Sequence, residues 1–223
     1  MAQRSDTEAR LVDAAVRLFA AQGFNVTSTR KISRLARVSE TSLFRHFTTK
    51  HELFWAAVKT CVDRVRVSKA LEASLARNDE PELVLSLIVK FLVDTASYHP
   101  EFVRLLYFGA LELRTGVEPI CRRHLGPIFQ SLCKYLDSCI ADGELLPVDS
   151  SIAASSLVLS ILIHRPLQEL LTGAGPAYSS PSEAAAAYTR FWLKTLTPKA
   201  DARLANLRDK GVNRQNVSDA ISA

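Results

Sequence analysis

With 223 residues, of which 48% are hydrophobic and 23% charged, the chain has the ordinary composition of a globular protein and can form one large domain or two smaller ones. A polar N-terminus without a secretory signal, and no apolar run of bilayer length, predict a cytoplasmic protein that does not enter the membrane. Residues 1–69 hold 13 Lys or Arg against 6 Asp or Glu, a net of +7, whereas residues 70–223 carry a net of −2. This asymmetry favours a polyanionic partner for the first third of the chain.

Apolar residues recur at helical spacing throughout, and no alternation of β-branched residues predicts a strand. We therefore expect an all-α protein of about nine helices. The first helix ends at Gly23, the second begins near Thr27-Ser28, and the third follows Ser39. The fourth opens with a capping box, in which Thr49 is the cap and Glu52 stands three residues later.

Longer helices are predicted beyond Pro81. Their expected ranges are about 81–98, 101–114, 119–142, 149–171 and 182–196. The third of these contains Gly126-Pro127, where we expect a kink. The polar tail at 199–223 is expected to be partly disordered. We assign residues 1–68 to an N-terminal DNA-binding domain and residues 69–223 to a C-terminal helical bundle.

The second and third helices form a helix-turn-helix pattern over about 29–48, joined by the tight turn Ala36-Arg37-Val38-Ser39. In this arrangement a short second helix enters the major groove and reads base edges with its N-terminal residues. Those residues are small or polar here: Ser39, Glu40, Thr41 and Ser42. Cations for phosphate surround them: Arg30, Lys31, Arg34, Arg37, Arg45 and Lys50. A purely structural helical hairpin stays open as an alternative, because such hairpins are common in all-α proteins.

Residues 11–58 resemble the TetR family of repressors. The matching positions are Ala14-Ala15, Phe19, Gly23-Phe24, Thr27-Ser28, Ile32, Ala36, Val38-Ser39, Leu43, Arg45-His46-Phe47, Lys50 and Leu53. The resemblance implies operator DNA as the partner, a dimer interface formed by the last two helices, and a pocket for a small effector in the C-terminal part. It covers about a quarter of the chain; the remainder is similar only in length and helical pattern.

The resemblance also implies roles for individual residues. Thr27 and Ser28 would contact phosphate, Ser39 to Ser42 would read bases, and His46 and Lys50 would clamp phosphate. The full set predicted to contact DNA is Thr27, Ser28, Thr29, Arg30, Ser39, Glu40, Thr41, Ser42, Phe44, Arg45, His46 and Lys50.

Three positions depart from the family pattern. Phe44 stands where the family usually has Tyr, which removes a hydroxyl contact, and Thr41 replaces a smaller residue. Arg37 replaces the usual turn glycine, so we expect either a positive φ at this residue or a shifted turn.

The C-terminal part offers less specific signals. The helix around residues 152–171 is apolar on much of its circumference, which predicts burial in a core or against a second copy of the chain. Large apolar side chains on the preceding helices would suit either a packed core or a pocket for an apolar effector. For such a pocket, Tyr107, His164 and Gln168 are the predicted polar anchors.

The sequence therefore predicts a DNA-binding transcriptional repressor that a small, apolar effector releases from its operator. The alternative is a helical adaptor that docks a protein partner. No catalytic motif, metal-ligand spacing or cofactor signature was found, so we expect no enzyme activity. The four cysteines, at positions 61, 121, 133 and 139, are expected to be small buried residues, with a redox-sensing thiol as the alternative.

Overall fold

The computed structural model describes residues 2–113, 122–123, 125–173 and 178–198, with the backbone alone for 2–5, 165–170 and 172. Every regular element in these ranges is helical, which confirms the all-α prediction. The helices are α1 (Ala2–Val26), α2 (Thr29–Ala36), α3 (Glu40–His46), α4 (Lys50–Arg64), α5 (Lys69–Arg77), α6 (Pro81–Tyr98), α7 (Pro100–Phe108), α8 (Gly126–Ala141), α9 (Ser150–Thr172) and α10 (Pro181–Leu196). A π-helical turn, Gly109–Leu113, continues α7.

Two elements differ from the sequence-based prediction. Helix α5 was not predicted; it has nine residues and buries only Leu71, Ser74 and Leu75, too short an apolar stripe to stand out. Helix α8 begins at Gly126, so the expected break at Gly126-Pro127 falls at the start of a helix, and Pro127 lies in the first turn, where a missing N–H costs nothing. The predicted start of that helix near residue 119, and the tail at 199–223, lie outside the described residues.

The chain divides into two compact units. The first comprises residues 1–68 and 91–129, and the second comprises 69–90 and 130–223. The first unit therefore holds α1 to α4 together with α7 and the π-helical turn. The N-terminal segment of the first unit ends at residue 68, and residues 91–129 group with the N-terminal helices.

An aromatic cluster forms the centre of the first unit. The ring of Phe19 lies 5.1 Å from that of Phe54, edge to face, and Phe24 lies 5.7 Å from Phe19 and 5.5 Å from Phe54. From α7, Phe102 and Leu105 enter the same core. Burying each of these large side chains contributes about 1.5–3 kcal/mol. Helix α7 thus packs into the same apolar core as α2 and α3.

In the second unit, helices α8 to α10 each bury an apolar face, through residues such as Leu136, Leu157 and Trp192. The hydroxyl of Tyr188 on α10 donates to the Ser160 carbonyl of α9, at 3.3 Å. The Leu146 N–H donates to the carbonyl of Leu196 at 2.8 Å. These bonds join α10 to the rest of its unit.

Three of the cysteines lie in the described part of the chain, and all are free thiols. Burial raises the pKa of Cys61 to about 11, and it also raises the pKa of Cys133 and Cys139. The reactive thiolate is therefore scarce at these positions near neutral pH. Separately, none of the helices in the described ranges is long and apolar enough to cross a membrane.

The first helix breaks at Gly23, as the sequence predicts. This residue adopts φ 82° and ψ 175°, a conformation available almost only to glycine. A Cβ here would also lie 3.2 Å from the ring of Phe108 and would collide with the Glu112 carboxylate. Gly23 therefore allows both the change of chain direction and the close approach of α7.

We expect Gly23→Ala to lower the free energy of unfolding by about 1–3 kcal/mol, through its backbone conformation and its contacts with Phe108 and Glu112. Gly143→Ala is the matched control, because Gly143 also has a positive φ of 74° but has nothing within 4 Å of a new Cβ. It should cost only about 1 kcal/mol. Urea denaturation followed by circular dichroism measures both. Equal losses would show that packing around Gly23 contributes nothing.

Candidate nucleic-acid interface

The start of α2 is fixed by two hydroxyl side chains with different surroundings. Ser28 is exposed and is the N-cap; its Oγ accepts the Lys31 N–H at 3.2 Å. Thr27 is fully buried, and its hydroxyl donates to the Gly23 carbonyl at 2.7 Å. Ser28 therefore lies where a phosphate can reach it. The Thr27 side chain does not, which differs from the expectation that both contact phosphate.

The turn between α2 and α3 depends on Arg37. Its φ of 56° and ψ of 45° place it in the left-handed region, which confirms the positive φ expected where the family has glycine. The Val38 N–H donates to the Ser33 carbonyl at 3.0 Å, and the Arg37 N–H donates to Arg34 at 3.1 Å. This hydrogen-bond pattern ends α2 sharply and lets α3 begin three residues later.

Helix α3 has seven residues and two distinct faces. Ser39 is its N-cap, and the Ser39 Oγ accepts the Ser42 N–H at 3.1 Å. Leu43 is fully buried in the core of the first unit. The opposite face presents Thr41, Phe44 and Arg45 to solvent, at spacings of three and four residues. The Phe44 ring is 49% exposed, although a phenylalanine gains from burial, so the outer face combines an apolar ring with a cation.

A hydrogen bond between side chains joins the starts of α2 and α3. The Thr29 hydroxyl donates to the Glu40 carboxylate, with an Oγ1–Oε1 distance of 2.5 Å. Both side chains are half-buried. This bond fixes the two helices against each other and directs the Glu40 carboxylate towards α2. Both residues were predicted to contact DNA directly, and the structure gives them this positioning contact.

The start of α4 carries the predicted phosphate clamp, Lys50. The capping box is confirmed on one side, where the Thr49 hydroxyl accepts the Glu52 N–H at 3.1 Å; the Glu52 carboxylate accepts the Thr48 N–H instead of that of Thr49. The Lys50 ammonium lies 4.2 Å from the centroid of the Phe24 ring. Partial burial lowers the pKa of Lys50, and attraction to the Glu112 carboxylate opposes that change. Lys50 therefore lies at the edge of the core.

His46, the other predicted clamp, lies deeper. Only 9% of its side chain is exposed, and its Nδ1 is 3.9 Å from the Glu8 carboxylate of α1. This contact becomes an ion pair when His46 is protonated. The structure thus gives His46 a role between α3 and α1, with little surface for phosphate.

Five exposed cations lie on α2, on the turn after it and on α3. They are Arg30, Lys31, Arg34, Arg37 and Arg45. Among the described residues none of the five forms an ion pair, whereas Arg64 and Lys59 elsewhere in the unit are paired with carboxylates. Unpaired cations leave the surface around α3 ready for a polyanion.

The residues predicted to anchor an effector are not all described. Tyr107 is an exposed residue of α7 in the first unit. His164 belongs to the second unit, and its Nε2 is buried without a hydrogen-bond partner in the described part of the chain. The Gln168 side chain lies outside the described residues.

Sequence reasoning missed one contact at this site. The backbone N–H of Asn25, just before α2, donates to Glu112 Oε2 at 2.7 Å, across 87 residues of chain. A local pattern cannot reveal such a pair, because neither residue belongs to a motif and their approach depends on how α7 packs.

Fold and site geometry define a helix-turn-helix domain. Residues 11–57 match the family model described as bacterial regulatory proteins, tetR family. This match confirms, over residues 11–57, the resemblance to the TetR family that the sequence predicts.

Two proteins of similar sequence extend the comparison. The chain is 32% identical over 107 residues to the HTH-type transcriptional repressor NicS of Pseudomonas putida, which is 47% of this chain and 49% of NicS. It is 28% identical over 138 residues to the nucleoid occlusion factor SlmA of Aliivibrio fischeri, covering 59% of this chain and 67% of SlmA. The match to NicS thus spans about half of that protein's length.

Solved structures are similar over most of the chain. The ketosteroid transcriptional regulator KstR2 of Mycobacterium tuberculosis aligns with a TM-score of 0.63 at 16% identity, covering 85% of this chain and 94% of KstR2. AibR, solved with isovaleryl coenzyme A and operator DNA, aligns with a TM-score of 0.65 at 16% identity, covering 86% and 98%. At this identity the likeness establishes the fold alone.

Two substitutions at Arg37 should separate its charge from its backbone conformation. Both Arg37→Gly and Arg37→Ala remove the cation, but only glycine relieves the left-handed conformation. We expect the glycine variant to be more stable than the alanine variant by about 1 kcal/mol in urea denaturation. Both should bind duplex DNA equally weakly relative to the parent chain. A glycine variant no more stable than the alanine variant would mean that the turn carries no strain.

Proposed function

We propose that the chain is a cytoplasmic transcriptional repressor that binds operator DNA as a homodimer through α3 and is released by a small-molecule effector. The observation that carries this proposal is the exposed outer face of α3 with its surrounding unpaired cations. The proposal assigns no enzymatic activity to the chain.

The outer face of α3 suits the major groove. Arg45 has the planar donor group that pairs with guanine O6 and N7, and Phe44 offers an apolar surface to a thymine methyl group. Thr41 lies on the same face, near the N-terminus of the helix, where base edges are read. Each good base contact of this kind discriminates by about 1–3 kcal/mol.

Phosphate contacts would come from the flanking helix starts. Ser28 and Arg30 are exposed at the start of α2, and Lys50 lies at the start of α4, where the positive end of the helix dipole adds to its charge. The hydroxyls of Thr27 and Thr29 are engaged within the protein, so we assign them to positioning α2.

The named relatives support the regulatory part of the proposal. NicS is a transcriptional repressor by name, and AibR was solved with operator DNA and an acyl coenzyme A. KstR2 is a ketosteroid transcriptional regulator. By analogy with these proteins, we propose that this chain represses transcription and is released from DNA by a small molecule.

Exposed apolar side chains support the homodimer. On α9, Ile152 and Leu159 are seven residues apart, on one helix face, and both are exposed. On α10, Phe191 is exposed as well. Such side chains on the last two helices suit an isologous contact with a second copy. A dimer would also supply a second reading helix, so that each seven-residue α3 contacts one of two DNA half-sites.

Two buried nitrogen atoms support an effector site in the second unit. His164 Nε2 and Trp192 Nε1 have no hydrogen-bond partner among the described residues, and the Tyr188 ring lies 5.5 Å from that of His164. Because a buried unpaired polar atom is costly, a ligand oxygen that reached either nitrogen would relieve that cost. We propose an apolar effector with one hydrogen-bonding group. Gln168, one helical turn beyond His164, remains a candidate anchor, whereas Tyr107 belongs to the first unit and is not assigned to this site.

Two variants should separate base reading from phosphate binding on a duplex that the full-length protein selects from a random pool. Arg45→Ala should cost about 1–3 kcal/mol on the selected sequence and relax the preference at one position in each half-site. Arg30→Ala should weaken all duplexes alike and lower the slope of log K against log salt by about 0.9. Fluorescence anisotropy at several salt concentrations measures both effects.

Lys59→Ala is the control for these two variants, because Lys59 is exposed on α4 and paired with Asp63 at 2.7 Å, outside the proposed interface. It should leave affinity and slope unchanged. Selection of no duplex at all would favour the helical adaptor, and equal effects of all three variants would contradict the placement of α3.

Leu159→Glu should convert the dimer to a monomer, because it places a charge in the proposed contact between copies. Leu83→Glu is the matched control: Leu83 on α6 is 47% exposed, close to the 54% of Leu159, but lies outside the proposed interface. Analytical ultracentrifugation at micromolar concentration reports the mass of each. A Leu159→Glu variant that remains a dimer would show that α9 does not form the contact.

A further inference from the structure

The carboxylate of Glu112 reaches the last turn of α1 from the π-helical turn. Its Oε2 accepts the Asn25 N–H at 2.7 Å, and its Oε1 lies against Gly23, where a side chain would leave it no room. Asn25 itself is exposed, and this bond is one of the contacts that fix the chain between Gly23 and Thr27. Glu112 thus contacts the chain two residues before the hydroxyl groups that begin α2.

The same carboxylate acts on Lys50. Glu112 attracts the Lys50 ammonium, which lies over the Phe24 ring with part of its surface removed from water. Phe24 stands between Gly23 and Asn25, the two residues that the carboxylate touches. One carboxylate therefore contacts both residues that flank Phe24 and attracts the cation that lies over the Phe24 ring.

We propose that Glu112 is a positioning residue that restrains Lys50 and the last turn of α1, and thereby holds the DNA affinity of this chain below the value it would otherwise have. The inference rests on the proposed DNA-binding function. An ammonium that is drawn to a carboxylate gains less from a phosphate, and the carboxylate repels the phosphate itself. Glu112 would thus oppose the binding that Lys50 supports.

The location of Glu112 makes this opposition sensitive to α7. Phe102 and Leu105 fix α7 in the core shared with α1 and α4, and the π-helical turn follows directly at Gly109. A π-helical turn has one extra residue per turn and occurs often at functional positions in helices. Because Glu112 lies within this turn, a change in the geometry of the turn would move its carboxylate relative to Asn25 and Lys50.

The test is a double-mutant cycle on the pool-selected duplex with the full-length protein. Glu112→Gln removes the charge but keeps an oxygen that can accept the Asn25 N–H, and Lys50→Met removes the cation but keeps the length of its stem. We expect Glu112→Gln to tighten binding about threefold to fivefold, the size that a nearby opposite charge screened by solvent contributes. In the Lys50→Met background the same change should have less than half of that effect. Glu101→Gln on α7 is the control for net charge, and it should leave affinity unchanged.

An unchanged affinity for Glu112→Gln, or an equal gain in the Lys50→Met background, would overturn the proposal. A second measurement does not depend on DNA. In hydrogen exchange the Asn25 amide should exchange about fivefold faster in Glu112→Ala than in Glu112→Gln, because only alanine removes the acceptor. Equal exchange rates in the two variants would refute the restraint of Asn25 by Glu112. Failure of the protein to select any duplex would refute the proposed function, and the exchange result would still test the restraint of Asn25.

Discussion

The short length of α3 is the constraint on which the rest of the site depends. Seven residues cannot hold a helix in water, because nucleation costs more than so few hydrogen bonds return. The position of α3 must therefore come from its neighbours. Three contacts fix that position: the Ser39 cap, the hydrogen bond from Thr29 to Glu40 and the burial of Leu43. The opposite face of α3 takes no part in these contacts. An exposed ring such as that of Phe44 is consistent with a surface kept for a partner.

Charged side chains are likewise divided between internal contacts and the exposed surface around α3. Several carboxylates in the first unit form contacts within the protein. Glu40 accepts a hydrogen bond from Thr29 of α2, Glu52 accepts the Thr48 N–H at the start of α4, and Asp13 pairs with Arg64 at 2.9 Å. The cations around α3 are left without such partners in the described part of the chain, so the positive potential there is not cancelled locally. Glu112 is an exception, because its carboxylate acts on a cation that belongs to the proposed interface.

Much of this arrangement could be predicted from the sequence because its signals are local. Caps at Ser39 and Thr49 and the break at Gly23 depend on a few adjacent residues, and the conformation of Arg37 follows from its place in a tight turn. Burial of Thr27, the contact of His46 with Glu8 and the approach of Glu112 to Asn25 depend on packing between distant segments. Single-sequence periodicity carries no information about such packing, and a nine-residue helix such as α5 has too short a stripe to register.

The central claim is that two copies of the α3 face read one operator, and hydroxyl-radical footprinting of the selected duplex tests it most directly. The account predicts two protected segments related by twofold symmetry on the same side of the duplex, with centres separated by one helical turn of about 34–36 Å or a multiple of it. Guanine N7 methylation within each segment should interfere with binding, because α3 enters the major groove. A single asymmetric footprint, or interference confined to the minor groove, would contradict the account.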